Sequence, residues 1–318
     1  MKSLQGKEFE EWIKANKGHS IDSSLKDEYL LRLKLSSLID GKSTSFKEQI
    51  NKGSGQELVG KFWRKKSSSR MAFDLYSWIV TDNHCDEFQF EKKLPGIKSG
   101  GNSINSYMDV FIRTSDNNIW FIESKFTEEP DNVKLPEAYF QTKDELGNVI
   151  DADFNTSTWH YNQDEKKLVE GSLEKRFSGH IYVAKLYVPF VKKMMERAKT
   201  TGNKWFDTKQ ECCHLLGIIM FILNNPSAKN SNIHFRNIVY GKEGNFIDNE
   251  KFAKTFMKEA SEMVNSIISH YSLENISFDY DALTIQNVLN DYGQRKALGY
   301  DNKTVAQCIK DNFEGLFE

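Results

Sequence analysis

Two acidic residues and a lysine stand inside otherwise apolar segments of the chain. Asp109 lies in YMDVFI at 107–112, and Glu123 and Lys125 lie in IWFIESKF at 119–126. Acidic residues are depleted in strands, and a buried charge without a partner costs free energy. Carboxylate oxygens suit Mg²⁺, and a neighbouring lysine can orient or deprotonate a water or stabilise developing negative charge. The pattern favours metal-assisted attack of water on a phosphate group, with Asp109 and Glu123 as metal ligands.

The alternation of side chains along a strand decides whether these three residues meet. Glu123 and Lys125 share one face of their strand, and Ser124 lies on the other. Asp109 shares the face of Glu123 only if an odd number of residues joins the two strands, for example the three at 116–118. Without a bulge, a loop of two or four residues would place Asp109 with Ser124, and no site would form.

The elements that position these residues follow from hydrophobic periodicity. Strands are predicted at 87–94, 107–114, 119–127, 233–240 and 276–280. Helices are predicted at about 56–80, where a serine caps the second half, and at 206–223 and 249–271. This order predicts an α/β fold in which helices flank a central mixed β-sheet.

Other segments are predicted to surround this core. Residues 1–55 form an N-terminal helical extension, 56–280 the core, and 281–318 a C-terminal helical segment. An insertion at about 127–205 interrupts the core and has some helix of its own. Its apolar run at 181–191 is compatible with either a strand or a helix.

The spacing of Asp109 and Glu123-Ser124-Lys125 resembles the PD-(D/E)XK signature of restriction-endonuclease-like nucleases. The core of that family is a helix, a three-strand meander, a helix and a fourth strand, which matches 56–126 and 206–240. Met108 stands where the family name has proline, a residue that is often absent. The chain looks like an uncharacterised bacterial branch of this superfamily, on the stretches SSRMAF (68–73), EKKLPG (91–96), ESKFTE (123–128) and QECCHLLG (210–217).

The resemblance implies a Mg²⁺-dependent endonuclease, with Mn²⁺ able to substitute. Asp109, Glu123 and the backbone carbonyl of Ser124 would bind the metal, and Lys125 would position and activate water. Gln210 matches a glutamine that often faces the active site from the helix after the meander. A restriction or defence enzyme is the setting that this analogy suggests.

Two further residues are candidates with an open alternative. Glu91 is a potential third metal ligand from the first strand, but its neighbours Lys92 and Lys93 equally suit a solvated strand end. His214 lies one helical turn after Gln210 on the same face, where it either supports the site or is a satisfied core histidine.

Local basic segments are the candidates for phosphate contact. The first lies in the stretch 58–73, which contains no acidic residue, and comprises Lys61, Arg64, Lys65, Lys66 and Arg70; a solvated helix face is the alternative. The second comprises Lys192, Lys193, Arg197, Lys199 and Lys204. The cluster Trp159-His160-Tyr161 suits base stacking or a place in the core.

Composition excludes several classes of protein. The 318 residues include 43 basic and 45 acidic ones, so global charge does not announce a nucleic-acid binder. The longest apolar run, 215–223, is far shorter than the roughly 20 residues of a membrane span. Four cysteines without a CxxC pair favour a reducing compartment. We therefore expect a cytoplasmic protein without a membrane partner.

Double-stranded DNA is the expected partner, and the residues neither favour nor exclude a homodimer. The main alternative is a catalytically inactive nuclease-fold module that binds DNA or a protein partner. A related phosphodiester chemistry, such as RNA cleavage or repair-type nicking, also stays open. The substrate form that is cleaved would separate this chemistry from DNA restriction.

Overall fold

The computed structural model of the protein describes residues 6–53, 57–96, 98–99, 102–103, 105–125, 141–143, 149–151, 177, 180–201, 206–239, 247–273 and 275–317. Within these ranges the strands are β1 (Ser36–Ile39), β2 (Lys42–Ser45), β3 (Cys85–Leu94), β4 (Lys98–Ser99), β5 (Asn102–Ser103), β6 (Ser106–Thr114), β7 (Asn118–Lys125), β8 (Gln141–Lys143), β9 (Val149–Asp151), β10 (Asn232–Val239) and β11 (Ser277–Thr284). The helices are α1 (Gly6–Ala15), α2 (Ser23–Arg32), α3 (Phe46–Asn51), α4 (Ser68–Tyr76), α5 (Ile181–Thr201), α6 (Thr208–Asn224), α7 (Ile247–His270), α8 (Ile285–Tyr292) and α9 (Val305–Asn312).

Five strands form a mixed central sheet in the order β11-β10-β7-β6-β3. The meander β3-β6-β7 is antiparallel throughout, whereas β10 lies parallel to both β7 and β11. Helices flank this sheet, so the predicted α/β class is confirmed. No helix in the described part of the chain is long and apolar enough to cross a bilayer.

The helix predicted at about 56–80, with a serine cap on its second half, is only partly confirmed. Its second half is α4, but short 3₁₀ turns at Glu57–Val59 and Lys61–Trp63 precede α4, and a third follows at Ser77–Thr81. The serine cap is confirmed, because the Ser67 side chain accepts a hydrogen bond from the Arg70 backbone N–H and starts α4 there. Serine side chains that bond to the backbone favour caps over helix interiors, which explains the interruption.

One segment settles an alternative that the sequence left open, and another corrects a prediction. The run at 181–191 is helical, because α5 continues through it and includes Pro189. The N-terminal extension contains the β1–β2 hairpin as well as helices. Its turn is Asp40-Gly41, with φ of 48° and 74°. Asp-Gly is a strong signal for a two-residue hairpin turn, and the helical prediction for 1–55 missed it.

Two apolar cores lie on opposite faces of the central sheet. The first packs α5, α6 and α7 against one face, around Phe121 and Phe235. The second packs α4, α8, α9 and residues of the N-terminal extension against the other, around Val110 and Ile122. The N- and C-terminal segments therefore share one core with the central sheet.

Asp74 joins these distant segments through a buried polar network. It lies 2.6 Å from Arg32 Nη1 of α2 and accepts hydrogen bonds from Tyr29 and from Asn312 of α9. Arg32 and Asp74 are both almost completely buried. A buried ion pair of this kind costs desolvation when it forms, and loss of one partner leaves the other charge unpaired.

We expect Asp74→Ala to lower the free energy of unfolding by about 3–5 kcal/mol, because Arg32 would stay buried without its counter-ion. Denaturant unfolding measures this change. The matched control is Asp311→Ala, which breaks a largely exposed pair at 3.0 Å from Lys303 and should cost less than about 1 kcal/mol. Equal losses in the two variants would contradict a role for Asp74 in joining α2, α4 and α9.

Candidate active site

The turn between β6 and β7 places Asp109 and Glu123 side by side. β6 ends at Thr114 and β7 begins at Asn118, so three residues join them, and Asn117 takes the left-handed conformation with φ of 64°. Val110 pairs with Ile122, and Asp109 and Glu123 are the next residues of the two strands. The loop has the odd number of residues that a shared face requires, although it spans 115–117 and not 116–118.

Glu91 continues this row onto a third strand. The register of β3 against β6 pairs Phe90 with Val110, so Glu91 lies opposite Asp109. Glu91, Asp109 and Glu123 therefore stand at equivalent positions on three adjacent strands. The three carboxylates line one cleft.

The backbone around Glu91 departs from regular strand geometry. Glu91 has φ of 51°, in a region that side chains other than glycine seldom adopt. Phe90 belongs to one core, whereas Leu94, on the same strand and of the same parity, belongs to the other. The face alternation of β3 therefore breaks at the carboxylate row. Gly53 leaves space for this arrangement, because a Cβ there would lie 2.4 Å from Glu91 Oε2.

Glu123 is the most enclosed of the three carboxylates and has cationic and amide groups around it. Lys125 Nζ lies 3.1 Å from Glu123 Oε1, and Gln210 Nε2 donates to the same oxygen at 2.7 Å. His214 Nε2 lies 3.2 Å from Glu123 Oε2, but the two atoms are not aligned as a hydrogen bond. Both helix residues that the sequence singled out thus reach Glu123 from α6.

Charges in the cleft shift the pKa values of the carboxyls in opposite directions. Burial alone would raise the pKa of Glu123, but His214 and Lys125 outweigh it and lower the value to about 2. Burial raises the pKa of Asp109 well above its usual range, and Glu123 and Glu91 raise it further. Its hydrogen bond from the Ser124 backbone N–H, at 2.7 Å, only partly offsets this.

The pKa of Glu91 is raised, as that of Asp109 is. Burial, then the charges of Glu57 and Glu123, raise the pKa of Glu91 to about 8. Glu57, which the sequence analysis missed, is held by Ser69 Oγ at 3.1 Å. A positive charge nearby would lower the pKa values of Glu91 and Asp109, because it would stabilise their ionised forms.

The cleft has a volume of about 390 Å³ and lies between two helix starts. Ser68 and Ser69 line it from the first turn of α4, and Asp207 and Gln210 line it from the start of α6. Backbone N–H groups at a helix start carry partial positive charge. The combination of acidic side chains with these helix starts and Lys61 suits a ligand that contains both a cation and an anion.

A second polar network supports the site from behind and was not foreseen. Glu211, next to Gln210 on α6, accepts a hydrogen bond from Asn237 Nδ2 at 2.7 Å and another from the Tyr280 hydroxyl. Asn237 lies directly across from Glu123 in the parallel pair β7–β10. An asparagine inside the apolar strand β10 was a readable signal, since asparagine is depleted in strands.

The structure separates the members of the first basic segment. Lys61, Arg64 and Lys65 are exposed and Lys66 is half-buried, but Arg70 is completely buried. The Arg70 guanidinium donates to the backbone carbonyls of Arg64, Lys65 and Asn312. This environment gives Arg70 a structural role and leaves it no surface for a phosphate, which corrects that part of the prediction.

The second basic segment is partly neutralised. Lys193 and Arg197 of α5 both pair with Glu259 of α7, at 2.5 Å and 2.8 Å. The Lys199 side chain, Lys204 and the cluster Trp159-His160-Tyr161 lie outside the described residues.

The donor atoms of the cleft fit a hard divalent cation. The cleft offers the carboxylates of Glu91, Asp109 and Glu123, although Glu123 Oε2 is buried 3.2 Å from His214 Nε2 and accepts no hydrogen bond. Within the described ranges, no group of three or more His, Cys, Asp or Glu side chains is placed to hold a metal ion together. A cation here would therefore use one or two carboxylates and complete its shell with other oxygens, which is the pattern of Mg²⁺.

No family model, no curated protein and no solved structure matches this chain. Any function must therefore be argued from the geometry and chemistry of the cleft.

The Glu211 carboxyl gives a pH-dependent prediction. Burial raises its pKa from 4.5 to about 7. The folded protein then keeps this proton while the unfolded chain loses it, so stability falls as the pH rises through this interval. Because a glutamine does not titrate, Glu211→Gln should lose less stability than the parent between pH 5 and 8.

Melting temperatures measured across this pH range test the prediction. The control Glu196→Gln changes an exposed glutamate of α5 and should follow the parent. A parent and a Glu211→Gln variant with parallel pH profiles would show that Glu211 does not titrate in this window.

Proposed function

We propose that the protein is a Mg²⁺-dependent endonuclease that hydrolyses phosphodiester bonds of DNA. The observation that carries this proposal is the row Glu91, Asp109 and Glu123 across three adjacent strands, with Lys125 Nζ 3.1 Å from Glu123. Acids and a lysine brought together at one end of an apolar sheet are costly to bury unless a ligand repays that cost.

The order of elements supports a restriction-endonuclease-like core. Helix α4, the meander β3-β6-β7, helix α6 and strand β10 follow one another in the family's order. Helix α5 belongs to the insertion between β7 and α6. This order supports the proposed PD-(D/E)XK resemblance, which was drawn from the spacing of Asp109, Glu123 and Lys125.

The chain's own residues divide the proposed work. Asp109, Glu123 and the Ser124 carbonyl would hold Mg²⁺, and Glu91 would add negative charge beside them from the next strand. When bound, the metal lowers the pKa of a coordinated water and neutralises charge that develops on the phosphate. Lys125 is placed beside the carboxylate row, where it orients the attacking water and stabilises negative charge in the transition state.

Gln210 and His214 act on Glu123. The Gln210 amide donates to Glu123 Oε1, which fixes the orientation of the carboxylate. His214 stands on the other oxygen; burial lowers the pKa of His214, but Glu123 more than offsets this, so the net pKa is raised. Together they keep Glu123 ionised and in place.

An inactive module is the alternative that one observation favours. Lys125, Gln210 and His214 together satisfy much of the charge on Glu123. The same contacts would serve in a purely structural ion network. The two possibilities differ in what they predict for the loss of Asp109.

We expect Asp109→Asn to abolish plasmid cleavage and the Mg²⁺-induced rise in melting temperature. The asparagine keeps an acceptor for the Ser124 N–H but removes one anionic ligand. Without metal, the variant should be as stable as the parent or slightly more so, because repulsion with Glu91 and Glu123 falls.

Lys125→Met should keep the Mg²⁺-induced shift and lose cleavage by about two orders of magnitude or more, since both carboxylates remain. Lys92→Met is the matched control, because Lys92 is also a strand residue and its Nζ lies 3.2 Å from a buried glutamate, Glu87. It should cleave like the parent. Assays on plasmid, linear duplex, single-stranded DNA and RNA identify the substrate form.

Two results would contradict the nuclease proposal. One is a parent protein that shows neither a Mg²⁺ shift nor cleavage of any of the four substrates. The other is an Asp109→Asn protein that is strongly destabilised without metal, which would indicate a structural ion network.

The exposed basic residues Arg64 and Lys65 lead to a prediction about DNA binding. If both contact phosphates, the double variant Arg64→Glu and Lys65→Glu should weaken binding to all sequences. The log–log dependence of affinity on salt should flatten by about 0.9 for each lost contact. Binding by the Mg²⁺-free protein at several salt concentrations measures the slope. The control Lys258→Glu, at an exposed lysine of α7, should leave the slope unchanged; the same slope in the double variant would exclude this surface.

A further inference from the structure

A second cavity, of about 440 Å³, lies at the other end of the strands that carry the cleft. Thr114, Asp116 and Asn118 of the β6–β7 turn line it, whereas the cleft takes Asp109 and Glu123 from the opposite strand ends. Ile112 and Ile122 contribute to its lining from the other face of the sheet. The cavity is therefore separate from the candidate active site in both position and face.

Its floor and walls are apolar and aromatic. Ile122 and Val288 belong to the buried core below it, and Trp78, Trp120 and Tyr292 supply ring surface around it. A volume of this size lies within the range of small-molecule sites, which combine apolar walls with a few polar groups. The body of a fitting ligand is accordingly a small apolar or aromatic group.

Ring contacts hold the aromatic walls in place. Trp120 stacks on His234 at 4.1 Å between ring centroids, and Trp78 packs against Tyr292 at 5.4 Å. A cavity with fixed walls loses little conformational entropy when a ligand enters. These contacts favour a preformed site over a transient gap.

The charged groups around the cavity select the head group of the ligand. Asp82, Asp116 and Asp291 all line it. Arg236 also lines it, but its guanidinium is already paired with Asp279. Among the described lining residues there is no other arginine or lysine, so the three aspartates leave the lining with negative charge. An anionic ligand is disfavoured there, and an organic cation is favoured.

We propose that this cavity binds a small amphipathic organic cation, with its aromatic body between the tryptophans and its ammonium group at the aspartates. The proposal is independent of nuclease activity. Because the same charges disfavour phosphates, we do not expect this cavity to contact DNA.

Three matched probes test the charge selection at pH 8: 2-phenylethylamine, 2-phenylethanol and phenylacetate. Calorimetry and the fluorescence of the tryptophans report binding. We expect saturable binding of the amine, about tenfold or more tighter than phenylacetate, with the alcohol between them.

Variants at an exposed residue locate the site without touching the core. Asp291→Lys should weaken the amine and strengthen phenylacetate, while Asp301→Asn, an exposed aspartate outside the lining, should leave all three affinities unchanged. Asp109→Asn should also bind the amine normally, which separates this site from the proposed nuclease.

The proposal would be overturned by absence of saturable amine binding, by equal affinity for the amine and phenylacetate, or by affinities that Asp291→Lys leaves unchanged.

Discussion

The three-residue turn at 115–117 determines which charged side chains of β6 and β7 lie on the same face of the sheet. Through side-chain alternation it places Asp109 and Glu123 on the same face of adjacent strands. A shift of one residue would turn Asp109 toward the apolar core around Val110 and Ile122, where a carboxylate would have no partner. The register of this one hairpin therefore decides both the stability of the sheet and the existence of the cleft.

Within the cleft, the three carboxylates are not equivalent because their neighbours differ. Lys125 and His214 lie beside Glu123, lower its pKa and keep it ionised. The pKa values of Glu91 and Asp109 are instead raised by burial and by the charges of neighbouring carboxylates. A positive charge that entered the cleft would lower the pKa values of Glu91 and Asp109 most, because both values are raised without it. This asymmetry, with the left-handed backbone at Glu91, leaves unfavourable electrostatic and backbone energy in the cleft, of which a bound cation would relieve the electrostatic part.

The remaining structure holds the strand ends in place from both faces. On one face, Glu211 ties α6 to β10 and β11 through Asn237 and Tyr280, so Gln210 and His214 are presented to Glu123 from a fixed helix. On the other face, the N- and C-terminal segments meet at Asp74, and Arg70 anchors the start of α4 to α9. Helix starts at the cleft thus depend on contacts between residues far apart in the chain.

Much of this could be predicted from the sequence, because alternation and helical periodicity are local properties. They located the central strands, helix α6, the hairpin parity and the group Asp109, Glu123 and Lys125, with Gln210 nearby. The Asp40-Gly41 hairpin was equally readable and was missed. Serine caps around Ser67 were recognised, but the 3₁₀ turns before α4 were not.

Tertiary structure alone decided the rest. Arg70 looked like one more basic surface residue, and it is buried because Asn312, 242 positions later, brings a carbonyl to its guanidinium. Glu211 shares a helix with Gln210, yet only the arrival of β10 and β11 shows that its partners are Asn237 and Tyr280. A local pattern records which side chains are apolar or charged, but the partner that satisfies a buried charge comes from distant sequence and is fixed only by packing.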